Sequence, residues 1–132
     1  MIGIDTNVLL RYVAQDEPAQ AAVVRRFVER QLSPDRPGFV SLITLAEVLW
    51  VLARHFDATT SEQIVFVSEL LDDRRFVVQD ASAVWLALEA AQASSIDLPD
   101  ALIAFVGGHH GCTHTVTFDR RATRLRGMTL LV

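Results

Sequence analysis

The sequence predicts an α/β protein, a three-layer α/β/α domain with a central, mainly parallel sheet. Three observations carry this. Short apolar runs alternate along the chain with longer segments of helical periodicity, the pattern of strand-helix-strand crossovers. Helix-start residues follow several of those runs directly. No Pro-, Gly- or Ser-rich linker, low-complexity run or repeat interrupts the 132 residues, so residues 1–132 read as one domain. A chain of this length buries roughly two-thirds of its unfolded surface and needs no disulfide or structural metal to build a core.

Taken in order, residues 1–4 read as a short buried strand. Asp5-Thr6-Asn7 is a capping sequence for a helix through Val8, Leu9, Leu10, Tyr12 and Val13. Pro18 suits the first turn of a second helix, with Ala22, Val23, Phe27 and Val28 on one face and Arg25, Arg26, Glu29 and Arg30 mainly on the other. The cluster Ser33-Pro34-Asp35-Arg36-Pro37-Gly38 reads as a loop. A strand at 39–41 precedes an apolar helix from about Ile43 to Phe56. Thr59 and Glu62 have capping-box spacing for a helix through Leu71. Residues 75–79 read as a strand, and Asp80 as the cap of a helix carrying Val84, Trp85, Leu88 and Ala91. Pro99 opens a helix to about Gly107, and strands at 113–118 and 128–132 complete the pattern.

Composition excludes several functions. There are 16 acids and 12 bases, a net charge of −4, and every base is Arg. Without Lys the chain lacks the phosphate-binding residue of a P-loop NTPase and the Lys that a response-regulator receiver normally carries. Net acidity by itself argues against binding nucleic acid through bulk charge. The single Cys112 allows neither an internal bridge nor a zinc cage, and reads as a small buried hydrophobe in a reducing compartment. The N-terminus has no basic region followed by a long apolar core, and the longest apolar stretch, residues 42–53, is too short to span a bilayer. These features predict a cytoplasmic protein with no membrane association.

Ligands of open parallel sheets bind at the carboxyl ends of strands, which directs attention to the acids placed there. Asp5 follows Ile2-Gly3-Ile4, and Asp119 follows Thr115-Val116-Thr117-Phe118. Asp5 is equally readable as an ordinary N-cap, and Asp119 as a turn residue before Arg120 and Arg121. Glu47 lies in a helix that looks apolar on every side, hence mostly buried, where a carboxylate is costly unless paired, hydrogen-bonded or metal-bound. Its plainer reading is a capping box with Thr44. Asp97 and Asp100 flank Pro99 at a helix start, where the dipole favours any acid. Four converging carboxylates, Asp5, Glu47, Asp100 and Asp119, would repel one another without Lys to compensate. They make chemical sense around a hard divalent cation, Mg²⁺ or Mn²⁺, and such ions activate water and neutralise phosphodiester charge.

The opening Met1-Ile2-Gly3-Ile4-Asp5-Thr6-Asn7-Val8-Leu9-Leu10-Arg11-Tyr12, the Glu47 helix, Asp97-Leu98-Pro99-Asp100-Ala101-Leu102-Ile103-Ala104, and Thr115-Val116-Thr117-Phe118-Asp119 together resemble the PIN domain. More narrowly they resemble the VapC-type toxins of toxin–antitoxin pairs. The resemblance runs the whole length in order. It implies a Mg²⁺- or Mn²⁺-dependent endoribonuclease in which Asp5, Glu47, Asp100 and Asp119 are catalytic and hold the metal that activates the attacking water. It makes Asp97 a lower-ranked ligand and Thr6, Asn7 and Thr117 supports for the carboxylates. It also implies a homodimer and a cognate VapB-type antitoxin bound to apolar surface on the first two helices and the 60–71 helix. Leu98-Pro99 departs from the Phe-Ala common in such sequences, a change a first helical turn tolerates.

Arg11, Arg120, Arg121 and Arg124 are candidate RNA-binding residues, with Arg126 beside them, since guanidinium fits phosphate bidentately. Solvated surface Arg is the plainer reading of each. His109 and His110 lie among Gly107, Gly108 and Gly111 at a helix end, where a cation is favoured without any catalytic role, and His55 and His114 read as equally plain. Two alternatives compete. One is a catalytically silent PIN-like module that binds RNA or protein. The other, a haloacid-dehalogenase-type phosphatase, needs a second Asp where Asn7 stands and a Lys the chain lacks.

Overall fold

The computed structural model describes all residues, Met1–Val132. The chain divides into two compact units, Met1–Ala58 with Glu69–Gln79, and Thr59–Ser68 with Asp80–Val132. In the first, β1 (Ile2–Gly3) pairs with β2 (Gly38–Val40) and β2 pairs with β3 (Phe76–Val78), each pair parallel. Parallel neighbours require crossover connections. Helices α1 (Thr6–Ala14) and α2 (Pro18–Gln31) supply the first, and α3 (Leu42–His55) and α4 (Thr60–Asp72) the second. The α/β class and parallel pairing are therefore as the alternation predicts.

Several expectations need correction in this unit. β1 is an edge strand, with Ile2 half-buried and Gly3 exposed, so burial over residues 1–4 is confined to Ile4. Gly38 is buried, and Ile4 and Leu32 pack so closely on it that a Cβ there would lie 3.0 Å from the Ile4 side chain and 3.1 Å from Leu32. The buried stripe of α2 is Ala21, Val24 and Val28, so of the expected face Val28 is buried as read while Ala22 and Val23 are exposed. Val23 and Phe27 instead line an open cavity of about 500 Å³ with Val8, Arg26 and Arg30. Helix α3 is not buried all round: Thr44, Leu45, Val48, Leu49 and Leu52 face inward, while Ile43 and Trp50 are 74% and 57% exposed and Glu47 is exposed with them. An apolar composition made a two-sided helix look one-environment.

The second unit is built on α5 (Ala81–Ser94) and α6 (Leu98–His109), which pack together and bury Val84, Ala87, Leu88 and Ala91 on one and Leu98, Ala101, Leu102 and Ala104 on the other. Strands β4 (Thr115–Thr117) and β5 (Met128–Leu130) pair in parallel, joined through a 3₁₀ turn at Ala122–Arg124. Trp85 is partly exposed rather than core. Cys112 is also exposed, since it lies in the turn after α6 and not in a packed element. The predicted capping box starts α4: the Thr59 N–H donates to Glu62 Oε1 at 3.0 Å and the Glu62 N–H to Thr59 Oγ1 at 3.1 Å. No helix is long and apolar enough to cross a membrane.

Candidate metal centre

Asp5 occupies the N-cap position of α1 with extended backbone (φ −77°, ψ 157°), yet its side chain accepts no bond from the helix. Asp5 is thus the N-cap by position, its carbonyl accepting from the Leu9 N–H at 3.1 Å, while its carboxylate is left free of the helix. Its carboxylate is exposed and stands at the carboxyl end of β1, held there by the Ile4 N–H donating to the Phe39 carbonyl at 2.9 Å.

Glu47 is positioned by the start of α3. Ser41 is the N-cap: its Oγ accepts from the Thr44 N–H at 3.1 Å, while the Leu42 N–H donates to Gln79 Oε1 at 3.0 Å. With the helix beginning at Leu42, Thr44 cannot form a capping box with Glu47. Thr44 does something else. Its buried hydroxyl donates to the Ile4 carbonyl at 3.3 Å, tying the first turn of α3 to the residue before Asp5. Glu47 follows Thr44 by three residues, a helical neighbour. The sequence signal for this latch was a lone hydroxyl in an apolar run, since a buried hydroxyl needs a partner. The side chains of Thr6 and Asn7 hydrogen-bond neither carboxylate.

In the second unit, Asp97 is the N-cap residue of α6, again without a side-chain cap bond, and Asp100 sits in the first turn beyond Pro99. Asp100 is half-buried. Burial, then the negative charges of Asp97 and Asp119, push its carboxyl above the usual Asp range, and Arg121 acts in the opposite direction. The structure thus brings Asp97, Asp100, Asp119 and Arg121 into one electrostatic neighbourhood.

Asp119 keeps its turn role as well: its Oδ1 accepts from the Arg121 N–H at 2.9 Å, and the Asp119 N–H donates to Thr117 Oγ1 at 3.0 Å. Thr117 so fixes the backbone of Asp119 rather than its carboxylate. The Arg121 guanidinium donates to the Ser95 carbonyl at 3.1 Å, which anchors it beside the acids.

Among the other arginines, Arg11 donates to Gln20 at 2.8 Å and pairs with Asp16 at 3.3 Å, so part of its donor capacity is already used. Arg120, Arg124 and Arg126 are exposed. His109 and His110 meet the Asp80 carboxylate, a pairing between residues 30 apart that no local pattern announces.

The donor set around Asp100 is purely carboxylate, which suits a hard divalent cation and no soft one. A cation there would offset the burial and the repulsion that together raise the Asp100 carboxyl. At Asp100 the positive charge of Arg121 would oppose a bound metal.

A search of curated protein sequences returns no match to this chain. A family model does match: the PIN domain, over residues 2–128. The matched span takes in every strand start, the Glu47 helix and the Asp97-to-Asp119 cluster, and the chain belongs to the PIN domain family.

Proposed function

We propose that the chain is a Mg²⁺- or Mn²⁺-dependent endoribonuclease, the toxin of a type II toxin–antitoxin pair. The family supplies a nuclease-like fold. The observation that carries the reading is Asp100, a half-buried carboxylate kept beside Asp97 and Asp119, whose charges oppose its ionisation. The helix dipole favours an acid at this position, but it does not account for three carboxylates placed together, which a bound cation would.

Asp5, Glu47, Asp100 and Asp119 would hold the cation, with Asp97 as the lower-ranked ligand. When bound, Mg²⁺ or Mn²⁺ supplies an activated water and offsets charge on the phosphodiester. The chain's own groups do the rest. Thr44 fixes the start of the Glu47 helix against the residue before Asp5. Thr117 and the Arg121 N–H hold the Asp119 turn. Arg121 moderates the acidic field, and exposed Arg120 and Arg124 take RNA phosphates, with Arg11 at the end of α1 as a weaker contact.

The antitoxin and the homodimer draw support from apolar side chains left in solvent. On α2 and α4, Val23 and Val65 are more than half exposed, and the cavity beside Val23 carries Arg26 and Arg30. On α3, Ile43 and Trp50 form an exposed pair.

The test is cleavage of structured RNA by purified protein stripped with EDTA and then given Mg²⁺ or Mn²⁺. Activity should appear only on add-back, and cleavage that persists in EDTA would refute the metal mechanism. Mapping the cut sites on total cellular RNA would then name the substrate.

A further inference from the structure

Asp80 is misused as a helix cap. It stands at the N-cap of α5, yet its backbone is left-handed (φ 50°, ψ 43°) and its side chain gives the helix no hydrogen bond. Left-handed backbone is unfavourable for a non-glycine residue, least so for Asp and Asn. The Asp80 carboxylate turns to the end of α6 instead. Asp80 Oδ2 lies 2.7 Å from His110 Nε2 and Asp80 Oδ1 lies 3.9 Å from His109 Nε2, with only 17% of the carboxylate side chain exposed.

Consecutive residues of a helix point about 100° apart, so two adjacent imidazoles do not ordinarily converge. Here both approach one carboxylate at the end of α6: His109 is its last residue, and His110 is the C-cap with φ −91° and ψ 14°. The rings stand edge to face, 82° apart with centroids 5.2 Å from one another. One ligand atom from each of Asp80, His109 and His110 falls within 4.8 Å of the other two. A zinc-sized ion with bonds of about 2.0–2.2 Å holds its ligands roughly 3.3 Å apart, close to these separations and reachable by turning exposed side chains.

We propose that Asp80, His109 and His110 form a second metal site, for a borderline divalent cation of the Zn²⁺ class. Two imidazoles and one carboxylate select Zn²⁺, Co²⁺ or Ni²⁺ over Mg²⁺, which prefers oxygen alone. As a simple ion pair the cluster would be poorly built. Asp80 makes one short contact, to His110 at 2.7 Å, and leaves His109 at 3.9 Å, beyond hydrogen-bond reach. A single cation satisfies both neutral rings and the acid together. It would tie the start of α5 to the end of α6, the two helices on which this unit is built. The site lies wholly within one unit and is independent of the nuclease reading.

Zn²⁺ titration of the full chain, with Mg²⁺ in large excess to occupy the all-oxygen ligands, is the test, read by equilibrium binding and by the visible spectrum of Co²⁺ in place of Zn²⁺. One Zn²⁺ per chain is expected, with a rise in Tm. Asp80→Asn keeps a residue that tolerates the left-handed backbone, and with His110→Gln it should weaken Zn²⁺ binding at least about tenfold, since even outer partners of metal ligands cost that much. Cys112→Ser, His114→Gln and Asp100→Asn should bind as the parent does. Retained binding in both Asp80→Asn and His110→Gln overturns the proposal, as does loss on Cys112→Ser, or no binding by the parent. Loss of RNA cleavage in Asp100→Asn with Zn²⁺ binding intact would separate the two sites.

Discussion

At Asp100 the charge needed for metal opposes folding. Its carboxyl is raised by burial and by Asp97 and Asp119, so the protonated form is the one the fold favours. The contribution to stability is full below the ordinary Asp value of 3.8 and is lost as pH rises through the raised folded value. Asp100→Asn should therefore raise the metal-free Tm at neutral pH while abolishing cleavage, and the gain should vanish at acid pH where both side chains are neutral; calorimetry at a series of pH values checks this. A metal-free Tm at neutral pH lower than the parent's would remove the electrostatic account. Asp73 has the opposite sign. Arg75 holds its carboxyl below the usual range, with guanidinium contacts down to 2.7 Å, so its contribution is present at neutral pH and lost as pH falls through that lowered value. Asp73→Asn should cost about 1 kcal/mol or less, because the pair is partly exposed. Asp97 and Asp100 could be read as candidates because Pro99 fixes their helical positions locally. Asp80 stands at the cap position as read, but its side chain turns to His109 and His110, 29 and 30 residues away, where no periodicity links them.

Among elements, α3 shows how far a pattern reaches. Its existence, limits and acid were legible, but an almost wholly apolar segment carries no record of which side faces water. The structure puts Val48 and Leu49 at 0% exposure and leaves Trp50 half out, partly covered by the Arg54 guanidinium 5.3 Å from its ring. Leu49→Ala should cost about 2–5 kcal/mol and Ile43→Ser no more than about 0.5 kcal/mol in chemical denaturation. Equal costs would mean the helix is buried on both sides. Ser41→Ala removes the cap that starts this helix and should cost about 1 kcal/mol, with a loss of activity out of proportion to that figure if the Thr44 latch positions Glu47. The capping box of α4 was readable because both partners lie within four residues, whereas the phase of α2 was not, as its Val and Ala residues occur on both faces.

For the whole molecule, the charge that counted against nucleic acid changes meaning once four acids are assigned to metal. Setting those aside leaves 12 acids against 12 Arg, and bound divalent cations would neutralise much of the remainder. Mg²⁺ should accordingly stabilise the chain by mass action, about 2.7 kcal/mol at a hundred times its Kd, and Asp100→Asn should lose this response in a thermal melt. The missing Lys is consistent with a chemistry that works through carboxylates and metal. Family membership was legible from four short motifs in order, because each acid is placed by a strand end or helix start next to it in sequence. The most direct measurement is Mg²⁺-dependent cleavage of structured RNA by the full chain and by Asp5→Asn and Asp100→Asn, each checked for folding by its melt. Both variants should fall at least about a hundredfold, since residues that act as one unit fail together. Wild-type cleavage by either folded variant would contradict the assignment of these carboxylates to a single catalytic set.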